Sequence, residues 1–114
     1  VALPFADAGF DVVLCALAIG HVAALDDAMA EIGRLLKPGG AALVSDLHPF
    51  LALGGAQRTF HAGDAVYAVE HHTYLYADML RAADAAHLSL DAVPEPALDG
   101  QTTPTVIVYR LIKR

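Results

Sequence analysis

The apolar positions of this chain change period along its length. The stretch FDVVLCALAI, beginning at Phe10, is nearly continuous and rich in valine, the pattern of a strand covered on both faces in a parallel sheet flanked by helices. Leu25, Ala28, Met29, Ile32, Leu35 and Leu36 then recur at helical spacing, which assigns Glu31 and Arg34 to the opposite face. Asp26 or Asp27 is placed to cap or charge-stabilise the start of that helix. At KPGG the helix must stop: Pro38 disfavours helical geometry at Lys37, and the glycines permit a left-handed turn. AALVSDL follows as a second buried strand. Strand, helix and strand within about forty residues predict a crossover unit with two parallel strands.

The second half is less regular. PFLALGGAQ reads as a loop, and RTFHAGDAVYAVEHHTY as two short strands around the turn His61-Ala62-Gly63-Asp64. A helix is expected over residues 77–86 with Met79, Leu80 and Ala83 facing inward. LSLDAV alternates as a half-buried strand stopped by Pro94 and Pro96, ALDGQTTP is a loop, and TVIVYRLIK is a strong final strand. No internal repeat or linker divides the chain, so residues 1–114 are expected to form a single domain.

Composition narrows the function classes. A chain of 114 residues has room for one core, and 56% hydrophobic content is too high for disorder. A formal charge of −6 with only seven lysines and arginines argues against nucleic acid, because neutralising phosphates needs clustered cations. Arg110, Lys113 and Arg114 read as a solvated strand end. Cys15 is the sole cysteine; it predicts a small buried hydrophobe, no intramolecular disulfide and a cytoplasmic location. No signal-peptide pattern opens the chain, and the longest apolar run, residues 12–20, is too short to span a bilayer. No membrane partner is expected.

LPFADAGFDVVLCALAIGHV followed by AMAEIGRLLKPGGAALVSD resembles the second half of class I S-adenosylmethionine-dependent methyltransferases. The similarity is to the small-molecule branch that includes quinone-biosynthesis enzymes. Leu3, Pro4, Phe5, Phe10, Asp11, His21, Leu36, Lys37, Pro38, Gly39 and Gly40 fill the family's pattern, specifically over residues 3–46 and loosely afterwards. The resemblance implies an α/β fold, the C-terminal half of a Rossmann-like sheet. Its parts are two parallel strands with a crossover helix, then a helix and two further strands, the last antiparallel, with a hairpin insert. It also implies S-adenosylmethionine as cofactor of the parent fold and a small-molecule methyl acceptor.

The family's glycine-rich turn, its acidic ribose partner and its adenine-contacting Asp-Ala pair precede the matched positions. LGG at residues 53–55 follows a loop rather than a strand and does not replace them. The expectation is therefore a methyltransferase fragment, inactive alone, with weak or no cofactor binding. The alternative is a non-catalytic half-domain serving as a dimerisation or binding module.

Residues at the C-terminal ends of parallel strands face the ligand crevice. By the resemblance, Ala16, Leu17 and Ala18 lie near the methionine portion of the cofactor and contribute backbone; core packing is the other reading. His21 occupies a position that often carries histidine, as a substrate or cofactor contact or as a local cap. His48, after the second strand, is a candidate substrate contact or general base, since imidazole ordinarily titrates near neutral pH.

The insert over residues 49–74 varies most with substrate in the family. Its Phe50, Phe60, Tyr67 and Tyr74 either line an apolar pocket or cover the sheet end. His61, His71 and His72, with His48 and Asp46, raise the question of a metal. No standard zinc spacing is present, and strand alternation would send His71 and His72 to opposite faces, so none is predicted. His87 stands where the family usually has a helix-ending glycine, so it is expected to be left-handed at a cost of about 1 kcal/mol.

The strand Phe10–Ala16 is central in the family fold. Without its neighbour it is an apolar edge unprotected by lysine, proline or a bulge. It is expected to pair antiparallel with a second copy about a two-fold axis, or with a missing N-terminal half.

Overall fold

In a computed structural model that describes residues 2–55 and 59–114, helix α1 (Leu25–Leu35) hands over directly to strand β2 (Leu36–Leu47). Leu36 already pairs with Phe10 of strand β1 (Phe10–Ala16). The parallel register then jumps to Val12 opposite Ala41, so residues 37–40 bulge from the ladder. The two glycines of the bulge do different jobs. Gly39 is left-handed at φ 82°, whereas a Cβ on Gly40 would meet the carbonyl oxygens of Asp11 and Lys37 at 2.9 Å. The sequence pattern starts this strand after the glycines; the bulge lets Leu36, buried at the core, join the ladder earlier.

Beyond β2 the order is α2 (Pro49–Leu53), a hairpin of β3 (Thr59–Ala62) and β4 (Ala65–Ala68), α3 (Tyr76–Ala85), β5 (Leu88–Ala92) and β6 (Val106–Lys113). The main sheet runs β1-β2-β6-β5, with β1 and β2 parallel and β6 antiparallel to both neighbours. The crossover, the antiparallel final strand and the hairpin insert are those the sequence predicts. Residues 49–53, expected as loop, form α2 because Pro49 suits a first helical turn and His48 caps it. No helix among the described residues is long and apolar enough to cross a membrane.

Both long helices lie on one face of the sheet. Met29 and Ile32 of α1, with Met79, Ala82 and Ala83 of α3, pack on Ala42, Val44, Ile107, Tyr109 and Leu111. Burial of each large side chain is worth about 1.5–3 kcal/mol. Met79 and Ala83 are buried as expected, but Leu80 is 40% exposed; the face set by Met79 continues at i+3 and i+4, which brings Ala82 inside in place of Leu80. On the other face, Val12 and Leu14 of β1 are 55% and 69% exposed. The Tyr109 hydroxyl is buried without a hydrogen-bond partner among the described residues. Burial, with the charge of Asp46 behind it, pushes its pKa up to about 12.

At the start of α1, Asp26 and Asp27 sit in the first turn, while the capping position is Ala24 and makes no side-chain cap. Their contribution is therefore charge against the helix dipole, and Asp26 also pairs with Arg81 of α3 at 3.0 Å.

Glu31 departs from the helical wheel: it is buried rather than facing solvent. Its carboxylate accepts hydrogen bonds from the Arg34 guanidinium and, at 3.0 Å, from the backbone N–H of Leu3. Arg34 in turn donates to the Phe5 carbonyl and to Asp7, both at 2.7 Å. This pair fastens residues 3–7 to α1, contacts across 27 to 31 positions that helical periodicity does not register.

These local geometries have measurable consequences. The hydrogen bonds from Arg34, then from Leu3, lower the Glu31 pKa from 4.5 to about 2. A depressed carboxylate stabilises the fold fully above its unfolded pKa and loses that contribution as pH falls through its folded one. In urea titrations, the stability difference between wild type and Glu31→Gln should hold above pH 4.5 and fade towards about pH 2. A difference independent of pH would show the carboxylate charge is not involved. Separately, His87 is left-handed at φ 61° as expected, with an exposed side chain. Replacing it with glycine should stabilise the chain by about 1 kcal/mol; a destabilised His87→Gly in thermal melts would contradict this.

Candidate functional site

Because β1 and β2 are parallel, their C-terminal ends open at the same end of the sheet. After β1 the chain turns sharply at Leu17, which is left-handed at φ 53°. The Leu17 N–H donates to the Ser45 carbonyl at 3.0 Å and lies 3.1 Å from the Ser45 hydroxyl. Ala16, Leu17 and Ala18 are all exposed, so the strand ends in a ledge where two alanines flank the exposed Leu17. A short 3₁₀ turn, Ile19–His21, follows with Ile19 and Gly20 buried.

On the β2 side come Asp46 and His48. His48 is 2% exposed. Its Nδ1 accepts the Phe50 N–H at 3.2 Å, capping α2, so its Nε2 carries the hydrogen and donates to Glu95 at 2.9 Å. The sequence places His48 at the strand end, and there it stands, but both ring nitrogens are engaged. His21 donates through Nδ1 to the Glu70 carbonyl at 2.7 Å.

Residues 70–74 form a strap across these strand ends. The His72 N–H donates to the Gly20 carbonyl at 2.6 Å, and the Tyr74 hydroxyl donates to the Val22 carbonyl. His71 donates through Nε2 to Asp46 Oδ1 at 3.0 Å, and its ring meets His21 edge to face, centroids 5.7 Å apart. Neither His71 nor His72 lies in a strand, so strict alternation does not govern them; they nonetheless diverge, His72 stacking on Tyr74. No group of three metal-ligating side chains occurs among the described residues.

Asp46 is the electrostatic centre of this region. Burial raises the Cys15 and Tyr74 pKa values, and the Asp46 charge raises both further. The pairing of His71 with Asp46 spans 25 positions, and sequence reading misses it, raising both residues only as possible metal ligands. Of the remaining insert aromatics, Phe60 and Tyr67 stack on the hairpin, while Phe50 is exposed with its ring centroid 4.9 Å from that of His48.

Beside β1, an apolar groove of about 200 Å³ is lined by Val13, Leu14, Cys15, Ile19, Ile32 and Leu35. It lies between β1 and α1.

Comparison with known proteins bears on what this arrangement is. Residues 1–44 match the methyltransferase domain family. Over 44 residues the chain is 48% identical to the ubiquinone/menaquinone biosynthesis C-methyltransferase UbiE of Dinoroseobacter shibae, covering 39% of this chain and 18% of the relative. In fold it is similar to the S-adenosylmethionine dependent methyltransferase from Mesorhizobium loti, with a TM-score of 0.77 and 16% identity over 99% of this chain and 65% of that one. It is also similar to a SAM-dependent methyltransferase from Methanosarcina mazei, with a TM-score of 0.69 and 16% identity over 98% of this chain and 63% of that one. The chain spans less than two thirds of these relatives. The first 44 residues thus match a methyltransferase domain family, and nearly the whole chain shares the fold of S-adenosylmethionine-dependent methyltransferases.

Proposed function

We propose that this chain supplies one wall of a methyl-transfer site for a small-molecule acceptor, with S-adenosylmethionine as the cofactor of the complete site. The observation that carries this reading is the shared end of β1 and β2, where the exposed Ala16–Ala18 ledge runs into the turn whose Gly20 and Val22 carbonyls hold the strap of residues 70–74. Bound there, the cofactor supplies a methyl group activated on a sulfonium. The ledge suits it: the small side chains of Ala16 and Ala18 leave the backbone within reach of a ligand laid along the strand end. His21 and the strap would close the acceptor side and limit water. Much of such catalysis is the in-line positioning of two bound molecules.

The fit covers one wall only. Asp46, the buried carboxylate at this end, is taken by His71 and the Leu47 N–H, which leaves it unsuited to holding ribose hydroxyls. Alone, the chain should therefore bind the cofactor weakly or not at all and show no methyl transfer.

A second reading, a non-catalytic half-domain that assembles through β1, is favoured by a specific observation. Among the described residues β1 pairs only with β2, and Val12 and Leu14 beside its free edge are exposed. An edge of this kind is a template for pairing, and two copies about a two-fold axis would join β1 to β1 antiparallel. An N-terminal half with its own strand would occupy the same edge.

Calorimetry and sedimentation on the isolated chain test both readings together. The first predicts no measurable S-adenosylmethionine binding below millimolar concentration, and micromolar affinity would contradict it. The second predicts a dimer at micromolar concentration that Val12→Pro or Val13→Pro dissociates, since proline removes a ladder donor or distorts the edge. A well-folded monomer unaffected by either substitution would rule out assembly through β1.

A further inference from the structure

We propose that His71 and Asp46 form a proton-accepting pair, in which His71 Nδ1 takes the proton of an O–H or N–H methyl acceptor. This assignment rests on the site reading above and adds to it the group that prepares the acceptor.

Three observations carry it. First, Asp46 is 4% exposed, and its Oδ1 accepts the His71 Nε2 hydrogen at 3.0 Å and the Leu47 N–H at 2.9 Å. A buried carboxylate holding the Nε2 hydrogen fixes the tautomer and leaves the lone pair on Nδ1. Second, the ring is held in one orientation by Gly20. A Cβ there would fall 2.2 Å from His71 Nε2, 2.6 Å from its Cδ2 and 2.8 Å from Asp46 Oδ1. The Nε2–Cδ2 edge thus lies against Gly20, and Nδ1, across the ring, is turned away from it.

Third, Nδ1 is accessible. Among the described residues the Tyr109 hydroxyl is the one buried side-chain nitrogen or oxygen without a hydrogen-bond partner. His71 Nδ1 has no partner among them either and is not one of the fully buried atoms, so it keeps contact with solvent on a side chain that is 12% exposed. His48, the histidine that sequence position favours as a base, lacks such a nitrogen, since Phe50 and Glu95 occupy both.

The proton balance is simple. The acceptor's O–H or N–H bond breaks, and its electron pair stays on the heteroatom, which becomes the stronger nucleophile. A new N–H bond forms at Nδ1. The ring becomes an imidazolium whose Nε2–H still donates its hydrogen bond to Asp46, so the new positive charge develops beside a buried carboxylate. The proton leaves later to water through the open Nδ1 edge. Cys15, Tyr74 and Tyr109, which also feel the Asp46 charge, have pKa values raised by burial and by that charge and keep their hydrogens, so none competes as the base.

The test uses the chain itself with 4-nitrocatechol, an acidic phenol whose ionised form absorbs visible light. At a pH below the probe's own ionisation, adding protein should produce the nitrophenolate band. His71→Gln should abolish it, and His61→Gln, on the exposed hairpin strand β3, should keep it. In ring nitrogen NMR of the wild type, His71 should carry its hydrogen on Nε2, and Asp46→Ala should turn that into a mixture of tautomers. Absence of the band, its persistence in His71→Gln, or a His71 protonated on Nδ1 would each overturn the proposal. None of these measurements needs a methyl donor, so they stand apart from the cofactor titration that tests the site reading.

Discussion

A chain that leaves a helix and enters a parallel ladder almost at once must bring two backbones very close, and Gly40 is where this happens. Its missing side chain lets the carbonyl oxygens of Asp11 and Lys37 approach to a distance that any Cβ would obstruct. With that contact in place, Leu36 seats in the core, residues 37–40 bulge out, and β1 and β2 run side by side from Val12 opposite Ala41 to Ala16 opposite Ser45. The shared direction of the two strands puts the Ala16–Ala18 ledge and the Asp46–His48 segment at one end. Everything assigned to the site depends on that register, because a slip of one residue would turn Asp46 out of the core and away from His71.

Short-range signals in the sequence make much of this legible. The KPGG junction, the crossover it implies, and the Gly63-Asp64 turn with Ala62 opposite Ala65 are features of this kind. The left-handed residue at His87 follows instead from the resemblance, which has a helix-ending glycine at that position. What periodicity does not contain is a partner far away in sequence. Glu31 reads as a surface position on a helical wheel and is buried because Leu3 and Arg34 close over it. His48 reads correctly as a strand-end histidine, yet its chemistry is set by Glu95, 47 positions on. His71 and Asp46 are paired by a strap lying outside any strand or long helix, and no pattern in residues 70–74 announces it.

The asymmetry of the sheet connects packing to function. Helices α1 and α3 cover one face, and the core gathers there. The other face of β1 keeps Val12 and Leu14 in contact with water although the strand's sequence is that of one buried on both sides. That mismatch links the chain's assembly to its proposed activity: the same strand that would seat a further neighbour ends in the exposed Ala16–Ala18 ledge. Completing the sheet and completing the cofactor site would then be one event.

The site stands or falls with the register of β1 against β2, and backbone NOE spectroscopy on the isotopically labelled chain measures it directly. Parallel cross-strand contacts should pair Val12 with Ala41, Leu14 with Leu43 and Ala16 with Ser45, preceded by Phe10 with Leu36 and no ladder contacts from residues 37–40. A continuous ladder through those four residues, or an antiparallel set of contacts between the two strands, would contradict it.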